Sequence, residues 1–500
     1  MSVASRDTLA INVRIRRLAR LLILAACAPF AVHAQVPSDP AADCELKVDS
    51  DPAAAIEACS IAIAAGPSDQ ASLEHLLLLR GLAYYNDKSR QLDKAMADLD
   101  RALQIDPNDS VATYMRGSVW QDENEDDKAI ADFDDSLRVD PDSYWAYLKR
   151  ARSFGNKGAF ARALADADAA IRLDPWPIEA WGVRGALRME LKDFDGAMAD
   201  FDEWIRRAPQ SAQARAARGS AWVFRGDGIK ALPDLDEAVR LEPRLAAAYL
   251  TRGRAWTLAK DDAKAMADYD QAIALDPRSA QAFKFRGRAF YAADACDKAL
   301  ADDEQALVLA PGDAALHTSR GEAHNCLKQF DAALVDFQQA AQIESTPARL
   351  RHLGMAWFNV GRFVDSATAL TSAADGDPQR LYIGLWLYMA RARAGELSAA
   401  IPELDARTAV ITGHAWPASV AALFLGRLQP ADLLAAARDP DARREREKTC
   451  EANFYTAEWL LIHQQEPAEV VRLLGEAADA CPFDYNEADG AHAELARLPH

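Results

Sequence analysis

Two columns of opposite charge recur along this chain of 500 residues. Arginine stands at Arg80, Arg116, Arg150, Arg184, Arg218, Arg252, Arg286 and Arg320. Aspartate stands at Asp98, Asp132, Asp166, Asp200, Asp234, Asp268, Asp302 and Asp336, each 16 residues after its arginine and 18 in the first pair. A guanidinium is a planar fork of donors that matches a carboxylate, so these residues suit either an array facing a charged ligand or internal ion pairs. One internal pair per repeat is the expected arrangement. Such pairs fix register more credibly than they add stability, because desolvation offsets the attraction. His317, His324 and Cys326, with His352 further on, are the residue types that ligate metals. The two histidines, however, occupy columns that carry Phe283 and Phe290 one repeat earlier, so they are expected to replace packed aromatics and no metal is expected. No Gly-rich phosphate loop, nucleophile elbow or HExxH pattern is present. No catalytic residue and no cofactor is therefore expected.

What must position the charges is a ladder of prolines: Pro107, Pro141, Pro175, Pro209, Pro243, Pro277 and Pro311, each 34 residues after the last. Gly117, Gly185, Gly219, Gly253, Gly287 and Gly321 keep the same spacing, with Ala151 in the one gap. A third ladder runs from Ala95 through Ala129, Ala163, Ala197, Ala231, Ala265 and Ala299 to Ala333. Within one unit, Val111, Tyr114, Met115, Val119 and Trp120 have helical spacing from about Ser110 to Asp122. A polar turn from Glu123 to Asp126 precedes a second helix through Ala129, Phe133 and Leu137, and proline ends the unit. Helices of about 13 residues are marginal alone in water, so they must stack on their neighbours. Trp120, Phe154, Trp222, Trp256, Phe290 and Trp357 form an aromatic column expected to pack in the core.

Gly219, Trp222, Ala231, Leu235 and Pro243, and likewise Gly253, Trp256, Ala265, Tyr269 and Pro277, resemble the tetratricopeptide repeat (TPR) family. The departure is the arginine before each glycine, where the family is usually apolar. The resemblance implies an all-α fold, a right-handed TPR superhelix (α-α solenoid), here with a degenerate helical C-terminal region. About nine repeats are expected over residues 76–380, with two extra residues in the turn of the first. Residues 35–75 read as a linker followed by a capping helix, and residues 381–500 as TPR-like helices in which the ladders fade. Residues 416–437 and 450–498 look like the C-terminal part of bacterial envelope TPR lipoproteins of the "new lipoprotein I" type, which act as adaptors for periplasmic proteases and peptidoglycan hydrolases.

The net charge is −19, which argues against a nucleic-acid partner. At the N-terminus, Arg14, Arg16, Arg17 and Arg20 precede an apolar stretch from Leu21 to Val32 and the small-residue site Val32-His33-Ala34. This reads as a cleaved export signal over residues 1–34, too short in its apolar part to span a bilayer. Lipidation at Cys27, in Leu24-Ala25-Ala26-Cys27, is the competing possibility and would place the chain at the outer membrane. A periplasmic location is expected. Cleavage leaves Cys44, Cys59, Cys296, Cys326, Cys450 and Cys481, an even number that favours disulfides in an exported chain. Cys44 and Cys59 stand alone at one end, Cys296 and Cys326 fall in adjacent repeats, and Cys450 and Cys481 open and close a helical hairpin; free buried thiols are the alternative.

In TPR proteins the first helices line the inner face. The positions resembling that groove include Tyr114, Gln121, Leu148, Arg152, Met189, Arg254, Lys284, Arg288 and Tyr291. They lack the Lys/Asn arrangement of chaperone-binding clamps, since Arg288 follows Lys284 where the clamp has Asn. The implied function is a non-enzymatic scaffold that binds an extended peptide or protein partner in the bacterial envelope. The alternatives are an accessory subunit of an envelope enzyme complex acting on peptidoglycan or polysaccharide, and a hydrolase housed after Leu381.

Overall fold

The computed structural model describes residues 39–376, 381–409 and 416–498. The N-terminal stretch expected to be an export signal, with Cys27, and Pro378 of the final repeat lie outside the described residues. Among those described there are 27 helices and no strand. The described residues form an all-α series of helical hairpins, and the chain divides between Pro243 and Arg244 into two compact units.

The first unit is a series of helical hairpins. Ser110–Asp122 with Asp126–Val139 is representative, followed by Tyr144–Asn156 with Phe160–Leu173 and Glu179–Glu190 with Phe194–Arg207. The Asp109 side chain accepts the backbone N–H groups of Val111 and Ala112, satisfying donors that a helix start leaves unpaired. Hairpins pack closely where a glycine of the first helix meets a bulky residue of the second. A Cβ added at Gly185 would lie 2.5 Å from the Phe201 ring, and one at Gly219 would lie 2.6 Å from Leu235. Where the glycine is replaced by Ala151, the facing residue shrinks to Ala167, and both are fully buried. The volumes compensate across the hairpin.

A further 34-residue column lies in the backbone. Asn124, Gly158, Lys192, Gly226, Lys260, Asp294 and Lys328 all have positive φ, between +57° and +83°, and Gly361 follows at +77°. Each turns the chain from the first helix to the second. Only two of these seven positions in strict register, Gly158 and Gly226, are occupied by the glycine that suits this conformation best.

The N-terminal end differs from the expected linker. Pro40–Lys47 is already a helix, begun by the Asp39 carboxylate accepting from Ala41 N–H and by proline in its first turn. It pairs with Pro52–Ala64, and a Cys44–Cys59 disulfide with Cα atoms 4.8 Å apart joins the two. The first helix of the next hairpin, Gln70–Asn86, starts at Gln70, ahead of the expected repeat, because Asp69 caps it.

The second unit begins with four hairpins, from Ala246–Leu258 with Asp262–Leu275 to Pro347–Asn359 with Phe363–Gly376. Cys296 and Cys326 are joined between adjacent hairpins, and Cys450 is joined to Cys481. Cys450 lies well inside helix Ala442–Ile462, whose start at Ala442 is capped by Asp441. The closing helix is Asn486–Arg497. Leu381–Arg393 is apolar around most of its circumference, as a helix enclosed by others must be. Its Trp386 packs 5.1 Å from Phe358 and 5.4 Å from Phe454, centroid to centroid. No helix among the described residues is long and apolar enough to cross a membrane.

The glycine contacts carry a prediction. Gly185→Ala should destabilise the first unit by about 1–3 kcal/mol, the usual cost of overpacking. Urea unfolding followed by circular dichroism measures it; an unchanged midpoint would show that Phe201 moves freely.

Candidate functional site: charge pairs and the first-helix face

All eight arginines of the column hold the expected aspartate. The distances are 2.7 Å for Arg80–Asp98, Arg116–Asp132, Arg150–Asp166, Arg218–Asp234 and Arg286–Asp302, and 2.6 to 2.8 Å for Arg184–Asp200, Arg252–Asp268 and Arg320–Asp336. In most of them Nε and Nη2 take the two carboxylate oxygens side by side, as Arg80 does with Asp98 at 2.7 and 2.8 Å. The aspartates are buried and the arginines mostly so.

The remaining Nη1 does something the spacing analysis missed. It reaches back to an aspartate of the preceding hairpin: Arg116 to Asp100, Arg150 to Asp134, Arg184 to Asp168, Arg218 to Asp202 and Arg286 to Asp270, at 2.5 to 2.9 Å. The last two columns have Glu304 and Gln338 in the second place, but each of the six second helices from Asp98 to Asp270 carries Asp-x-Asp. Its first carboxylate serves its own hairpin and its second serves the next. The signal was available in the sequence as a second aspartate two residues after the first. The aromatic column lies at the edge of the core, half-buried, with Trp120, Phe154 and Trp357 packed against buried clusters. Trp120, Trp222 and Trp256 are half-buried and lie under Lys128, Lys230 and Lys264 at 4.2, 4.9 and 4.2 Å from the ring centre, a cation eight residues later each time.

His317 and His324 both face Asp336, at 3.1 and 3.7 Å, so they join the Arg320 pair rather than packing as aromatics. His352 lies beside Phe337. Among the described residues the converging group of metal-ligating types is Asp294, Cys296 and Cys326, and its two cysteines are bonded to each other.

The proposed groove residues separate into distinct environments. In the first unit Tyr114, with Leu82, Tyr85, Val111, Met115 and Ser118, lines a cavity on the first-helix face. Leu148 is 2 % exposed and packs with Tyr144, Ala170 and Ala180, so it belongs to the core rather than to a ligand surface. Gln121 donates to Lys149 O and Ser153 Oγ. Arg152 is exposed. In the second unit Lys284 is neutralised by Asp313 at 3.0 Å. Arg254 and Arg288 make no ion pair among the described residues. Arg254 is half-buried, its guanidinium 4.8 Å from the Phe285 ring centre, and burial lowers its pKa. Both arginines approach Tyr269, whose hydroxyl hydrogen-bonds Thr257 Oγ1 at 2.9 Å. Tyr291 meets Phe483, edge to face, at 5.3 Å.

Residues 148–212 and 216–280 match one family model described as tetratricopeptide repeat, and residues 75–109 match another. The matched residues are tetratricopeptide repeats. A comparison with curated proteins gives no match. Similar solved structures include a tetratricopeptide repeat protein from Parabacteroides merdae, at 20 % identity and TM-score 0.44, covering 50 % of this chain and 97 % of that one. YrrB, described as a TPR protein with an unusual peptide-binding site, is 19 % identical with TM-score 0.30, covering 37 % and 95 %. A chain of the APC/C hetero-tetramer Cut9–Hcn1 is 14 % identical with TM-score 0.45, covering 77 % and 85 %.

Two outcomes follow from the charges. Asp98→Ala should cost about 3–5 kcal/mol by stranding Arg80, whereas Arg80→Met with Asp98→Leu should be nearly neutral, as measured by chemical unfolding of both variants. The second concerns pH. Burial raises Asp303 and Glu451 to about 7. A carboxyl raised on folding stabilises fully below its unfolded pKa, and that stability is lost as pH rises through the folded value. His352, lowered to about 4 by burial, contributes above its unfolded value and loses its contribution only on acidification. Above about pH 6.5 His352 has little further stability to add, while the raised carboxyls, Glu322 at about 7 among them, are still losing theirs, so the melting temperature of the second unit should fall toward pH 8. Asp303→Asn should flatten the fall.

Proposed function

We propose that the chain is an exported scaffold that binds an extended protein segment bearing carboxylates, with no catalysis of its own. The observation that carries this is the pair Arg254 and Arg288. In a chain of net charge −19 the column arginines are matched to aspartate, yet these two lie on the first-helix face with no ion pair among the described residues, Arg288 having Glu322 within electrostatic reach. An unpaired, partly desolvated guanidinium is an anion site in waiting, and surrounding negative charge repels an acidic ligand from other places. The cavity beside Tyr114 offers apolar side chains a separate place in the first unit.

Export to the periplasm is supported by the positive and apolar N-terminal sequence and by three cysteine pairs, which persist in oxidising compartments. Cleavage after Ala34 is the favoured processing. Mass spectrometry of the mature chain separates it from lipidation at Cys27.

Arg254→Glu with Arg288→Glu should weaken capture of acidic partners from an envelope extract while the helical circular dichroism stays unchanged. Wild-type capture should weaken with added salt, since exposed charges are screened within about 8 Å at physiological ionic strength. Unchanged capture by the double variant would remove this face as the site.

A further inference from the structure

The C-terminal end of the chain returns to the first-helix face of the second unit. Helix Asn486–Arg497 packs against Pro347–Asn359, and Arg497 donates to the carbonyls of Phe358 and Asn359. Lys328 bonds Asp489 at 3.2 Å. The turn before that helix carries Phe483 onto Tyr291. On the last hairpin the corresponding face is closed, with Met355 and Phe358 buried under the C-terminal helices. On the earlier hairpins it is open at Arg254 and Arg288.

The turn is built differently from the helices on either side of it. Cys481 ties its start to Cys450, and buried Ala488, Ala491 and Glu494 fix the helix that follows. Phe483 and Tyr485 are half-buried and Asp484 is exposed. Phe483 can therefore leave Tyr291 without unpacking the core. Its sequence, Phe-Asp-Tyr-Asn-Glu-Ala-Asp, is an aromatic residue followed by carboxylates. That is chemistry the open part of the face can use: aromatic surface for Tyr291, and in Asp484, the carboxylate of the segment not already held by Lys328 or Tyr455, negative charge for Arg254 and Arg288.

We propose that the turn Pro482–Tyr485 is an intramolecular competitor that covers the Tyr291 end of the binding face, and that the partner displacing it carries an aromatic side chain next to carboxylates. The proposal rests on the first-helix face being the binding face. A segment tethered in the same chain competes at high effective concentration, so the face is available to an outside chain for only a fraction of the time.

The test uses the full mature chain and a fluorescein-labelled synthetic peptide of residues 483–489, followed by fluorescence anisotropy. Phe483→Ala removes the competing ring and should tighten peptide binding about three- to tenfold, the range a single aromatic pair supports. Tyr291→Ala in that background should return affinity to the wild-type level or below. Equal or weaker binding by Phe483→Ala overturns the proposal. If binding is lost in Arg254→Glu with Arg288→Glu but unmoved by Phe483→Ala, the binding face stands and the competitor fails. If Phe483→Ala tightens binding and the arginine changes do nothing, the cover stands and the arginine site fails.

Discussion

A guanidinium shared between carboxylates of two successive second helices, as at Arg116, Arg150, Arg184, Arg218 and Arg286, is the interaction on which the stack depends. Arg116 holds Asp132 of its own hairpin and Asp100 of the one before. Hydrophobic packing supplies attraction between hairpins but little direction, and helices of this length could slide by a turn without losing much burial. A planar fork with three used donors cannot slide. Misregister would leave a buried aspartate without its partner, and that cost is several kcal/mol, whereas the net gain of the correct pair is small. The charge network therefore acts against wrong arrangements more than in favour of the right one.

The same network shapes the electrostatics of the surface. Column arginines are tied to aspartates, so they contribute little positive potential to any ligand. Local basicity is left to arginines outside the column, at Arg152 in the first unit and at Arg254 and Arg288 in the second. Lys284 shows how easily such a site is cancelled: it lies on the same helix as Arg288 but reaches Asp313. A count of basic residues along a helix face thus overstates its affinity for acidic chains. What matters is which cations lack a carboxylate.

Much of the fold was legible because the repeat places one residue type at each structurally demanding position. Proline ends helices, glycine admits the neighbouring ring, and aspartate meets arginine, so the ladders could be read directly. The left-handed turn column escaped that reading because asparagine, lysine, aspartate and glycine share it. The tolerance is physical: a single residue at positive φ costs little enough that several side chains accept it. Leu148 was misplaced for a related reason. Helical periodicity tells which residues share a face, but the burial of that face depends on how the next hairpin covers it, and Ala170 and Ala180 close over this one. The closing of the face by the C-terminal end was also invisible, since Phe483 and Tyr291 lie in different parts of the sequence with no common spacing.

The C-terminal region departs from the repeat in a way that explains its faded ladders. A repeat can be built from small residues because each interface is flat and identical. Here helices surround Leu381–Arg393, so Trp386, Tyr388, Phe424, Phe454 and Tyr455 fill an irregular interior. Buried carboxyls are held there by particular donors: Glu451 accepts from Tyr382 and Trp416 at 2.8 Å, and Glu487 from Tyr455 at 2.7 Å. Arg393 bridges Glu458 and Glu494 at 3.1 and 3.0 Å. These contacts join helices far apart in sequence, so no fixed period can describe them. They also fix helix Asn486–Arg497, and with it the point at which the turn beside Phe483 meets the repeats. The irregular core is what allows the chain to place an aromatic–acidic segment of its own against an otherwise periodic surface.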